Sequence, residues 1–211
     1  MGYRRAGFSV TGVDIRAQPR YPFEFHKGDA LEFLAKHGDS FDAIHASPPC
    51  QAYSHAQRIR NNDHPDLAAA TRAALVATGK PWVMENVEGA PMYRTVMLCG
   101  ASFKLRTYRH RLFESNIDLV APKHSQHLFK LAKMGRKAQP NEFMHVVGNF
   151  IGVKEARVAM GISWMSRQEL REAIPPAYTE FIGRQLVDVL ATRIQTHAYG
   201  PPTPSHTDLP A

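Results

Sequence analysis

The chain has 211 residues, 44% of them hydrophobic, and carries 26 lysines and arginines against 19 aspartates and glutamates, a formal net charge of +7. That length supports a single domain with a real core, and without a run of ~18 uncharged apolar residues or an apolar stretch after Arg4 and Arg5, neither a membrane span nor a signal peptide is expected. Two cysteines, Cys50 and Cys99, are too few for a disulfide framework or a four-cysteine zinc site and point to a reducing setting, cytoplasmic or nucleoid-associated.

Residues 2–7 are helix-compatible and stop at Gly7. Residues 8–15 read as a strand with Asp14 near its end. Pro19 and Pro22 mark a loop, and Gly28-Asp29-Ala30 leads into a short helix over 31–34 with Asp29 as N-cap. Residues 41–46 read as a short buried strand. Pro48 and Pro49 then forbid helix and remove two backbone donors. The turn they stiffen projects Cys50 from the carboxyl end of that strand, the end where open α/β sheets carry their chemistry. Residues 54–65 form a polar loop with Arg58, Arg60, Asn61 and Asn62, and 66–78 an alanine-rich helix. A second buried strand over 81–87 ends in Glu85-Asn86.

From 93 to 150 the pattern loosens. Basic residues crowd 104–111 and 123–137, runs that on composition alone read as a solvated face. Residues 155–160 and 166–173 read as helices. Pro175-Pro176 opens a last helix from 177 to about 193, with Tyr178, Phe181, Ile182, Leu186, Val189 and Leu190 at helical spacing. Residues 196–211 are rich in Pro, Ser, Thr and His and are expected to be a disordered tail.

Strands alternating with helices at this spacing predict an α/β fold with a doubly wound parallel sheet. In such a sheet Asp14, Cys50 and Glu85-Asn86 fall at strand ends on one edge. A cysteine beside a carboxylic acid suits covalent attack on an electron-poor ring: the thiolate adds to a ring carbon while the acid protonates a ring nitrogen. Cytosine needs this pairing, because its C5 is a poor nucleophile until C6 is attacked. His45, His55, His64, His110, His124, His127 and His145 show no tight ligand spacing, so no metal site is expected, and Cys99 reads as a core residue.

Ser47-Pro48-Pro49-Cys50-Gln51 resembles the catalytic loop of DNA cytosine-C5 methyltransferases, and Glu85-Asn86-Val87, about 35 residues later, resembles that family's second signature. Arg109-His110-Arg111 is similar to its Gln-x-Arg-x-Arg segment, with Thr107 where the glutamine belongs. Gly12-Val13-Asp14 resembles the cofactor-ribose strand and Gly28-Asp29-Ala30 the acidic turn beside the cofactor's adenine. Glu155-Ala156-Arg157 with Met160-Gly161, and Ile174-Pro175-Pro176 through Ile182-Gly183, are similar to the segments that support the recognition region and close the core.

The resemblance implies a Rossmann-like methyltransferase sheet with a small recognition region. Its core spans 1–114, the recognition region 115–154, and a returning segment 155–195. It further implies methyl transfer from S-adenosylmethionine to a cytosine flipped out of double-stranded DNA. In that scheme Cys50 attacks C6, Glu85 holds N3 and the exocyclic amine, and Asn86 orients the Cys50 loop. Arg111 contacts O2, and Arg109 supports phosphate or loop contacts. Asp14, Ile15, Asp29, Ala30 and Pro48 are the implied cofactor residues, and the 54–65 loop closes over the base.

Two departures qualify the resemblance. Residues 1–8 correspond to the helix after the family's first strand and Gly-rich loop, so that strand and loop are expected to be absent, through a late or altered start or a natural truncation with weak cofactor binding. Arg171-Glu172-Ala173 stands where the family has Gly-Asn-Ser. The short recognition region predicts a short or relaxed target sequence. Two other readings stay open: a pyrimidine-nucleotide enzyme of the thymidylate-synthase type, and a non-catalytic DNA-binding module on the same scaffold. Oligomeric state is left open.

Overall fold

The computed structural model describes residues 1–49 and 67–199, the last four by backbone alone. Cys50, Gln51, the 54–65 loop and the tail from residue 200 lie outside the described residues.

The architecture is mixed α/β. Strand β1 (Thr11–Asp14) pairs in parallel with β2 (Glu24–Lys27) as a two-stranded sheet. A second sheet has the order β3-β4-β6-β5, built from β3 (Ile44–Ala46), β4 (Trp82–Asn86), β5 (Val96–Leu98) and β6 (Arg111–Ser115). In it β3 and β4 are parallel, whereas β6 runs antiparallel to both β4 and β5. A small parallel ribbon joins β7 (Lys130–Leu131) to β8 (Glu142–Phe143).

The expectation of one doubly wound parallel sheet is therefore corrected in two ways. Two of the three pairings in the larger sheet are antiparallel, because β6 runs between β4 and β5 against their direction: residues 99–110, which join β5 to β6, hold no crossover helix, and a parallel pair needs one. The sheet is also split. Between β1 and β3 runs a groove of about 560 Å³, walled by Thr11 to Asp14 on one side and by Ile44 and His45 on the other. Both strands are consequently only half-buried, although 41–46 reads as buried in sequence. Strand β4 has neighbours on both sides and is buried at all five positions.

The helices dress this sheet. Helix α1 (Gly2–Arg5) rests on the long helix α6 (Pro176–Tyr199). In α6, Tyr178, Ile182 and Leu186 pack on Val83, Leu98 and Phe113. The helix continues past the expected end near 193 and through the first residues of the expected tail. Helix α2 (Ala30–His37) starts at Asp29, whose carboxylate accepts from the amides of Leu31 and Glu32 at 2.8 and 3.0 Å, the predicted cap. Helix α3 (Ala68–Ala77) sets Leu75 against Trp82 and Met84.

Helices α4 (Val153–Met160) and α5 (Arg167–Glu172) share a second core with Met144, Val146 and Phe150. The boundary expected at 154 thus falls inside α4. Ser166 and Glu169 form a reciprocal capping box that starts α5. No described helix is long and apolar enough to cross a membrane.

Candidate active site

Register brings the site together. Because β3 and β4 are parallel with Ala46 opposite Met84, the next residues, Ser47 and Glu85, lie side by side at the carboxyl end of the pair. Because β6 is antiparallel with Leu112 opposite Asn86, Arg111 enters the sheet at that same edge. Arg111 Nε lies 2.9 Å from Glu85 Oε1. The Ser47 hydroxyl also favours the charged form of the Glu85 carboxylate. Burial pushes the Glu85 carboxyl above the usual carboxylate range, against the opposing pull of Arg111, Ser47 and Arg109. The result is an acid that keeps its proton more readily than a surface glutamate, with a cation and a hydroxyl in contact with it.

Asn86 is buried, and its amide nitrogen donates to the carbonyl of Pro48 at 3.3 Å. Its Oδ1 accepts from the Val87 amide at 2.8 Å. The side chain at the end of β4 therefore grips the proline pair that precedes Cys50. Pro48 is itself buried and does not line the groove between β1 and β3. Cys50 lies outside the described residues.

Sequence reasoning missed a polar chain that reaches Glu85 from the other side. The Tyr3 hydroxyl lies 2.7 Å from His45 Nδ1, and His45 Nε2 lies 3.1 Å from Ser47 Oγ. Burial pushes the His45 imidazole down to about 4, so it is neutral at pH 7. The alternation within β3 could have placed His45 and Ser47 on one face, but only the position of α1 makes Tyr3 their third member.

Arg109 makes loop contacts, one of the two roles implied for it. Its backbone is left-handed, with φ of 41°, and its side chain is buried. The guanidinium donates to the carbonyls of Val146, Arg171 and Ala173 at 2.8, 2.5 and 2.6 Å. The Tyr178 hydroxyl meets the carbonyls of Tyr108 and Arg109 at 3.1 and 3.0 Å. Arg109 thus clamps the loop at Val146 and the 171–173 segment to the base of β6. The run 104–111 is a solvated face only in part: Lys104 and Arg106 are exposed, whereas Thr107, Tyr108 and Arg109 are buried.

Of the residues implied for the cofactor, Asp14 lines the groove. Its carboxylate accepts from the Arg16 amide and the Gln18 side chain at 2.8 and 2.9 Å. Ile15, Asp29 and Ala30 do not line it: Ile15 is exposed, Asp29 caps α2, and Ala30 is the first residue of that helix. No tight ligand spacing is visible in the sequence, yet the fold collects Cys99, His110, His124 and His127 so that one ligand atom from each lies within 4.8 Å of the others.

The chain matches no protein-family model and no curated protein.

Proposed function

We propose that this chain is a DNA cytosine-C5 methyltransferase. One observation carries the reading: a buried, proton-retaining Glu85 sits at a strand end beside Arg111 and Ser47, and the next residue, Asn86, holds the proline turn that presents Cys50. In this reading the chain is a Rossmann-like methyltransferase, and the groove between β1 and β3 is its cofactor cleft.

The chemistry follows from the residues. A cytosine swung out of the duplex enters beside Glu85. The Cys50 thiolate adds to C6, the C5=C6 π pair moves toward C5, and Glu85 supplies a proton to N3 so that the ring accepts the charge. Arg111 offers its guanidinium to O2 and keeps the acid in place. Once C5 is substituted, its proton leaves, the C6–S bond breaks and the thiolate returns.

The groove has the size of a nucleoside site. Asp14 on its wall is the group for ribose hydroxyls, whereas the adenine-side residues Asp29 and Ala30 do not reach it. S-adenosylmethionine held there would supply the methyl group. DNA would approach the exposed face that carries Lys130, Lys133, Leu128 and Phe129, consistent with a net charge of +7.

Incubation with duplex DNA and methyl-labelled S-adenosylmethionine tests the reading. Label should appear in 5-methylcytosine, and Glu85→Gln should lower the rate by ~10²–10⁴, the range for loss of a general acid. A folded protein that neither binds the cofactor nor labels DNA would overturn it.

A further inference from the structure

We propose that Cys99, His110, His124 and His127 form a structural zinc site. Cys99 precedes a short 3₁₀ turn, Gly100–Phe103. His110 precedes β6, and His124 and His127 lie in the segment that follows it. Cys99 Sγ is 3.4 Å from His127 Nε2. His110 Nε2 is 3.2 Å from His127 Nε2 and 3.3 Å from His124 Nε2. With Zn–N near 2.0–2.1 Å and Zn–S near 2.3 Å, a tetrahedron has N···N edges of about 3.3 Å and S···N edges of about 3.6 Å. Three of the six edges, at 3.2, 3.3 and 3.4 Å, match that figure, and the other three are no longer than 4.8 Å.

Hydrogen bonding does not explain the arrangement. A ring nitrogen carries one proton or one lone pair and satisfies one in-plane partner. Here His110 Nε2 faces two imidazole nitrogens, and His127 Nε2 faces an imidazole nitrogen and a thiol. A cation at the centre satisfies all four at once.

The surroundings are those of a metal shell. His110 turns its other nitrogen, Nδ1, toward Glu88 Oε2 at 3.3 Å, the outer carboxylate that fixes a ligating tautomer. His127 stacks on Tyr108 with ring centroids 3.6 Å apart. The Tyr108 hydroxyl donates to the Phe129 carbonyl at 2.6 Å and accepts from the Phe129 amide at 3.0 Å, which fastens the same segment. Three imidazoles and one thiolate suit zinc, and four protein ligands leave no open position, so the role is structural. The site would lock the segment carrying His124 and His127 to the residue next to Arg111. It does not depend on the methyltransferase reading.

The test uses the full chain without a histidine tag, metal measured by mass spectrometry and zinc affinity by competition with a chromophoric chelator. One zinc per chain is expected. His124 and His127 are exposed, so a His124→Ala/His127→Ala double variant should fold like the metal-free protein by circular dichroism yet bind zinc at least a hundredfold more weakly. Glu88→Gln should weaken binding by ~10–100-fold. Cobalt substitution should give the strong visible bands of a tetrahedral site with thiolate charge transfer, and Cys99→Ser should remove the charge-transfer band. Zinc well below one per chain after growth in zinc, or unchanged affinity in the double variant, would overturn the proposal.

Discussion

Glu85 is pulled in two directions. Burial favours its neutral form, and Arg111, Ser47 and Arg109 favour the carboxylate. An acid that must give up a proton and take it back is well served by such a balance. His45, which reaches it through Ser47, is held neutral by burial, and this has a measurable consequence. Its pKa is about 4 in the folded chain and ~6.5 unfolded. The unfolded state therefore binds the proton first, so the fold has its full stability above pH 6.5 and loses it as pH falls toward 4. For this group alone the loss reaches about 2 kcal/mol by pH 5 and about 3 kcal/mol below pH 4. Urea titrations at pH 7 and pH 5 should show His45→Gln losing about 2 kcal/mol less than the parent chain between those pH values. An equal loss in both proteins would remove His45 from the account.

At the level of elements, β4 was the most legible. Its run of apolar residues announced a buried strand, and Glu85-Asn86 announced polar chemistry at its end. Asp29 as a cap was legible for the same reason, a local preference with a local partner. The contact between α1 and α6 was not. Gly183 reads as an ordinary helix glycine, yet a Cβ there would come within 2.7 Å of Ala6 Cβ and 3.0 Å of a Tyr3 ring carbon. The absent side chain lets α1 lie close to α6 and sets Tyr3 on His45. Helix propensity alone makes Gly183→Ala stabilising by about 1 kcal/mol. Overpacking should reverse the sign and destabilise by about 1–3 kcal/mol. Chemical denaturation of the variant decides between them, and a gain in stability would contradict the packing argument.

For the whole molecule, the sequence carried the α/β class and the place of Glu85-Asn86 at a strand end, whereas the entry of Arg111 at that same edge follows from the antiparallel β6. It did not carry the split between β1 and β3, because strand pairing across long sequence separations leaves no local pattern. It did not carry the Cys99–His127 cluster either: two of its ligands share a short spacing, but the other two arrive from the far side of β6. Arg109 was legible as a support for loop contacts but its partners were not, since the carbonyls it clamps come from residues 146, 171 and 173. These features describe one site with two halves. The acid half is assembled by β3, β4 and β6, and the groove half lies open between β1 and β3.

The central claim is that Cys50 attacks cytosine C6 with Glu85 as its acid. Duplex DNA bearing 5-fluorocytosine blocks the final proton loss and traps the covalent species. With S-adenosylmethionine present, the account predicts a denaturant-stable protein–DNA adduct that peptide mapping places on Cys50, that Cys50→Ala abolishes and that Glu85→Gln slows. An adduct that persists in Cys50→Ala, or that maps to another residue, would contradict it.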